Sequence, residues 1–123
     1  ATISIPDIKG NKANYIYSKT YTGNGKLYGY FNVPGYVSNP PDYVNDKSMQ
    51  TFEIDVYNKT VKKMNFDGTT GWSCSQCKAG DYMVFGMAST QGTGYYLYNY
   101  KEDKYEPLKI KTEGNPFKIQ YLK

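Results

Sequence analysis

The stretch 71–105, GWSCSQCKAGDYMVFGMASTQGTGYYLYNYKEDKY, constrains the fold more than any other part of this chain. It holds the only tryptophan, both cysteines and the densest run of tyrosines. Its apolar residues alternate or fall on both faces, never at helical spacing. The pattern predicts strands over 81–90 and 95–100, joined by the glycine turn 91–94. Tyr82 and Val84 oppose Met83, Phe85 and Met87, which predicts a central strand covered on each side.

The remaining residues repeat this grammar. Ile3 and Ile5 suggest a first strand stopped by Pro6, and 15–21 pairs with 26–32 across Thr22-Gly23-Asn24-Gly25, a turn whose residues tolerate positive φ. Residues 33–47 carry three prolines and several Asn and Asp, so they read as a long loop, of the kind that is functional, mobile or wrapped over a sheet face. In 49–57, Phe52, Ile54 and Val56 share one face and Glu53, Asp55 and Tyr57 the other, a half-buried strand. Asn58-Lys59 turns it, and a switch of parity between Val61 and Met64 predicts a β-bulge at Lys62-Lys63. Residues 71–80 read as a turn between strands. Pro107 places the strand around Leu108 and Ile110 at an edge, and Phe117, Ile119 and Tyr121 mark a last strand.

No window supports an amphipathic helix. The fold expected is a single all-β domain over 1–123, an antiparallel β-sandwich or partly open barrel of about eight or nine short strands built from hairpins. Two related hairpin-pair halves, 14–66 and 81–122, are suggested by the echo of 22–28 in 91–97 and by second hairpins at 55–66 and 99–110. They suit a two-sheet sandwich or two blade-like sheets cut from something larger; a complete propeller needs at least four blades and is too long for this chain.

Composition removes several function classes. The chain has no histidine and no arginine, and its net charge of +4 comes from lysine alone. It therefore lacks an imidazole for acid–base work or metal ligation and a guanidinium fork for phosphate. Dispersed lysines and modest charge disfavour nucleic acid as a partner. No apolar run approaches the roughly 18 residues of a membrane span. The opening Ala1-Thr2-Ile3-Ser4-Ile5 fits a mature secreted or cell-surface protein and equally a boundary inside a longer one.

Cys74 and Cys77 form a CxxC pair. Four ligands for a structural zinc are not available, and the flanks do not resemble the helix start that a redox pair requires. A local disulfide is the favoured reading, with free thiols, redox use or soft-metal capture with Met83 or Met87 as alternatives. No cofactor and no metal site is expected, and Asp42, Asn45 and Asp46 read as ordinary turn residues before they read as calcium ligands.

The unusual inventory is aromatic: fifteen tyrosines, five phenylalanines and one tryptophan. Tyrosine offers a flat apolar ring with a polar tip at small entropic cost, which suits sugar rings and protein partners. Along 95–100 one face receives Tyr96, Tyr98 and Tyr100, a candidate binding strip unless both faces are buried. Scattered carboxylates give no catalytic constellation. The expectation is a non-catalytic extracellular module that binds carbohydrate through Tyr36, Tyr43, Trp72, Tyr96, Tyr98 and Tyr100, shaped by 33–47 and 91–94. The alternative is a structural, assembly or adhesion domain that contacts another protein through the same tyrosines.

Overall fold

A computed structural model describes residues 7–8, 11–12, 16–71 and 73–114. The expected strands at Ile3–Ile5 and Phe117–Tyr121, and Trp72, lie outside them. Among the described residues the chain is all-β, with two four-stranded antiparallel sheets and a two-stranded ribbon of β1 (Asp7–Ile8) and β2 (Asn11–Lys12). The first sheet takes β3 (Ile16–Gly23), β4 (Lys26–Asn32), β5 (Met49–Asp55) and β6 (Thr60–Lys63) in chain order. The second takes β7 (Cys74–Ala79), β8 (Tyr82–Ser89), β9 (Gly92–Asn99) and β10 (Lys104–Lys111) in the same manner. Each sheet is a plain meander of neighbouring antiparallel strands, joined by short turns except for the long loop 33–48 between β4 and β5.

The sheets face each other across Tyr28, Tyr30, Met49, Met83, Phe85, Met87, Tyr96 and Tyr98. Tyr30 meets Phe85 edge-on at 5.7 Å, and Tyr28 meets Tyr98 at 5.6 Å, a favoured geometry for ring quadrupoles. On one side β3 runs beside β7. Ser18 Oγ donates to the Cys74 carbonyl (3.3 Å), Gln76 Nε2 to Ser18 Oγ (2.9 Å), and Tyr30 OH to the Ser75 carbonyl (3.2 Å). On the other side Phe66 stacks on Tyr105 at 4.3 Å, and the Tyr105 hydroxyl donates to Asp67 Oδ2 at 2.8 Å.

A second cluster, Phe31, Val33 and Phe52 with Ile16, Tyr36, Ile54 and Val61, lies on the outer face of the first sheet. Strand β5 is thus buried on both faces, and the side that turns towards the second sheet is the one bearing Thr51, Glu53 and Asp55. Strand β8 is central as expected.

Three local expectations are corrected. Residues 74–79 form a strand, so Cys74 and Cys77 stand three positions apart on extended backbone, roughly 10 Å between Cα atoms against a ceiling of about 7 Å for a disulfide. Both are free thiols on opposite faces, Cys74 level with Met87 inside and Cys77 level with Val84 outside. Strands β5 and β6 keep register from Asp55–Thr60 to Phe52–Lys63, so β6 simply ends at Lys63 without the expected bulge. Irregularities fall instead at Ile16/Ser18, Tyr21/Gly23 and Glu106/Ile110.

Candidate functional site

At one end of the molecule the first hairpin turn, β5, β6 and the turn after β9 enclose an open cleft of about 420 Å³. The turn exists because Asn24 (φ 53°) and Gly25 (φ 72°) both take left-handed backbone, the requirement of a two-residue hairpin loop. Its neighbours Thr22 and Lys26 line the cleft with Tyr28, Glu53, Lys62, Tyr98, Tyr100, Lys101 and Asp103.

A chain of polar contacts fixes these groups. Lys26 Nζ lies 3.1 Å from Glu53 Oε1 and 3.0 Å from Asp55 Oδ2. The Tyr28 hydroxyl donates to Glu53 Oε2 at 2.7 Å, and the Tyr98 hydroxyl to Asp103 Oδ1 at 2.8 Å. The hydrogen bond to Asp55 raises the Lys26 pKa; desolvation opposes it and Glu53 reinforces it. Burial, reinforced by their carboxylate acceptors, raises the pKa of Tyr28 and of Tyr98. Asp55 is held at about 2, first by the Asn58 backbone N–H, then by the Asn58 amide and Lys26. The phenols are therefore neutral donors near neutral pH, and Lys26 is a fixed cation.

The tyrosines picked out by sequence separate. Tyr98 and Tyr100 reach the cleft, with the Tyr100 hydroxyl bound to the Gly80 carbonyl at 2.8 Å. Tyr96 is fully buried and Tyr98 nearly so, which corrects the expected row of uncovered rings on β9: its even face points inward. Tyr36 packs against the outer cluster of the first sheet. Tyr43 is 72 % exposed and borders a separate hollow of about 270 Å³ with Val37, Asp46, Ser48 and Met49. The loop beneath it is tied down by Asp46 Oδ2, which accepts from the Ser38 and Asp42 backbone N–H groups at 2.9 and 3.0 Å, and by Asp42, which caps Val44 and Asn45. Among the described residues no group of three or more Cys, Asp and Glu is placed to hold a metal.

Sequence reasoning missed Tyr28, Lys26 and Glu53. The available signal was that 26–32 and 49–55 are successive strands, whose antiparallel pairing puts Tyr28 level with Glu53.

The chain is thus defined only by class, a two-sheet antiparallel β domain with an aromatic, charge-lined cleft. No family model, curated protein or solved structure matches it.

Proposed function

We propose that this domain is a non-catalytic, extracellular binding module that takes a carbohydrate in the cleft between Asn24 and Asp103. The observation that carries the proposal is the convergence of the half-buried Tyr100 ring with Lys26, Glu53, Lys62 and Asp103 on one open cavity, beside the buried rings of Tyr28 and Tyr98. Aromatic faces stack on the apolar side of a pyranose, while fixed donors and acceptors bond its hydroxyls. A binding role fits better than catalysis because both Glu53 oxygens are engaged, one by Lys26 and one by the Tyr28 hydroxyl, and Asp103 accepts from the Tyr98 hydroxyl, so the cleft carboxylates serve to hold neighbouring donors in place. Placement outside the cell belongs to the same proposal; with both thiols free it has no support from a disulfide.

Titration of the intact chain with an oligosaccharide panel, followed by tyrosine fluorescence, tests it. Tyr100→Ala should weaken binding of any positive glycan about tenfold or more, near 1.4 kcal/mol. Tyr43→Ala, at the separate hollow, should leave it unchanged. Failure of every glycan, or an indifferent Tyr100→Ala, removes the reading.

The second reading, an assembly or adhesion domain, is favoured by a different surface. Tyr17, Tyr21, Val56 and Tyr57 are between 43 and 74 % exposed on or beside the outer side of the first sheet, more apolar area than a solvated face requires.

A further inference from the structure

The two sheets are copies of one pattern. In the first, Asp55 pairs with Lys26 and Thr60, and Ile54 with Leu27 and Val61. In the second, Asn99 pairs with Tyr82 and Lys104, and Tyr98 with Met83 and Tyr105. The turns that follow agree. Asp55 Oδ1 accepts the N–H of Asn58 at 3.0 Å, and Asn99 Oδ1 accepts that of Glu102 at 3.0 Å. One residue further on, Lys59 (φ 57°) and Asp103 (φ 53°) both sit in the left-handed region. Asp55 therefore corresponds to Asn99, Ile54 to Tyr98, Phe52 to Tyr96, and Val61 to Tyr105.

Corresponding faces do not meet. In the second sheet the face of Met83, Tyr96, Tyr98 and Tyr105 lies against the first sheet. In the first sheet the equivalent face of Leu27, Phe52, Ile54 and Val61 points away from the second. The sheets are stacked the same way round, the front of one on the back of the next. A contact of that kind is heterologous, and it leaves one front and one back without a sheet of this type.

We infer that a second copy of the chain docks there, the outer face of its first sheet against the outer face of the second sheet of its neighbour. The internal contact shows that a front of this pattern fits a back of this pattern. Apolar exposure lies at both ends of the stack. Tyr21 is 54 % exposed and Tyr57 74 % on the first sheet's side, and Ile110 is 57 % exposed on the second, next to half-buried Tyr95. On the first outer face Phe31, Val33 and Phe52 are already buried, with Tyr36 packed against them, so among the described residues the part open to a neighbour is the end bearing Tyr21 and Tyr57.

Sedimentation velocity on the intact chain from micromolar to millimolar concentration tests the inference. The expected result is a dimer or larger species that grows with concentration. Tyr21→Lys/Tyr57→Lys disables one face and Tyr95→Lys/Ile110→Lys the other; each variant alone should be monomeric. Mixed in equal amounts they should form a heterodimer of twice the monomer mass, because each supplies the face that the other lacks. Circular dichroism melts confirm that both variants remain folded, and the milder Tyr21→Ser/Tyr57→Ser and Tyr95→Ser/Ile110→Ser replace any variant that does not. A wild-type chain that stays monomeric throughout overturns the inference. So does either folded variant that still dimerises alone, since that would be a contact between like faces.

Discussion

The first and second sheets share a register and a capped turn, yet they offer opposite chemistry to the space between them. The second sheet contributes Met83, Phe85, Met87, Tyr96 and Tyr98; the first contributes Tyr28 and Tyr30 but also Thr51, Glu53 and Asp55. The cause is the stacking direction. Because the sheets pack the same way round, the apolar stripe of β5 (Phe52, Ile54) points outward, and its polar stripe meets the rings of β9. Carboxylates at that position need partners, and Lys26, Tyr28 and Asn58 supply them. The polar cleft is the direct consequence of this arrangement. Where a self-facing pair of sheets would have a closed apolar core, this end has ionised groups and an opening.

The largest expected effect separates the inner core from the outer cluster. Phe85 is fully buried and touches Tyr30 from the facing sheet and Phe66; Phe52 is equally buried and meets Phe31 edge-on at 4.8 Å within its own sheet. Phe85→Ala should cost about 4 kcal/mol in urea unfolding and Phe52→Ala about 3 kcal/mol. A larger loss at Phe52 would show that the outer cluster, not the inter-sheet layer, is the principal core.

Next come two glycines in corresponding hairpin turns, Gly80 at the first loop position and Gly25 at the second. Gly80 (φ +61°) has open space where a Cβ would stand, whereas at Gly25 (φ +72°) a Cβ would lie 2.6 Å from the Tyr57 ring. Gly80→Ala should cost about 1 kcal/mol from backbone strain alone, and Gly25→Ala about 2 kcal/mol. Adding Tyr57→Ala should remove the excess. If the two glycines respond alike in the wild-type background, the Tyr57 ring is not held over the turn.

The paired caps follow. Asn99→Ala removes an acceptor from the Lys101 and Glu102 N–H groups and should cost about 1 kcal/mol. Asp55 makes the equivalent turn sensitive to acid. Its pKa of about 2 lies below the ordinary 3.8, so its stabilisation is complete above about pH 4 and is lost as the pH falls towards 2. Asp55→Asn should flatten that limb of a stability–pH curve, and Asn99→Asp should add one to the second sheet. An unchanged acid limb in Asp55→Asn would show that other carboxylates set it.

Much of this architecture is legible in the sequence. Period-two alternation places β3, β4, β5, β8 and β9, and Pro107 marks β10 as an edge. The failures have a common physical origin: periodicity states which residues share a face but not what that face meets. Phe52 and Ile54 were separable from Glu53 and Asp55, but which set turned inward depended on the stacking direction, a property of two sheets rather than of one strand. For the same reason Tyr96 and Tyr98 could be seen to share a face without revealing that it was the interior one. Strand β7 was missed because Cys74-Ser75-Gln76-Cys77-Lys78-Ala79 lacks β-branched and aromatic residues; pairing with β8 on one edge and side-chain bonds from β3 on the other hold it extended. The cleft was half legible, since Tyr98 and Tyr100 were named and their cross-sheet partner Tyr28 was not.

The smallest effect tests the mismatch between the facing sheets most directly. Thr51 sits fully buried on the polar stripe of β5, level with Tyr30, and its hydroxyl has no partner among the described residues. The second sheet meets this region with apolar side chains, so it offers no acceptor to satisfy that donor. Replacing a buried, unmatched hydroxyl with a methyl group of similar volume removes a desolvation penalty and opens no cavity. Thr51→Val should therefore stabilise the domain by up to about 1 kcal/mol, with the slope of the denaturant curve unchanged. Glu53 and Asp55 share the same face but would not tolerate an apolar replacement, because Glu53 accepts from Lys26 and the Tyr28 hydroxyl, Asp55 accepts from Lys26 and Asn58, and removing either leaves those donors short of an acceptor. A loss of stability in Thr51→Val would mean that this hydroxyl is bonded in solution, and that the facing sheets are better matched in polarity than their side chains indicate.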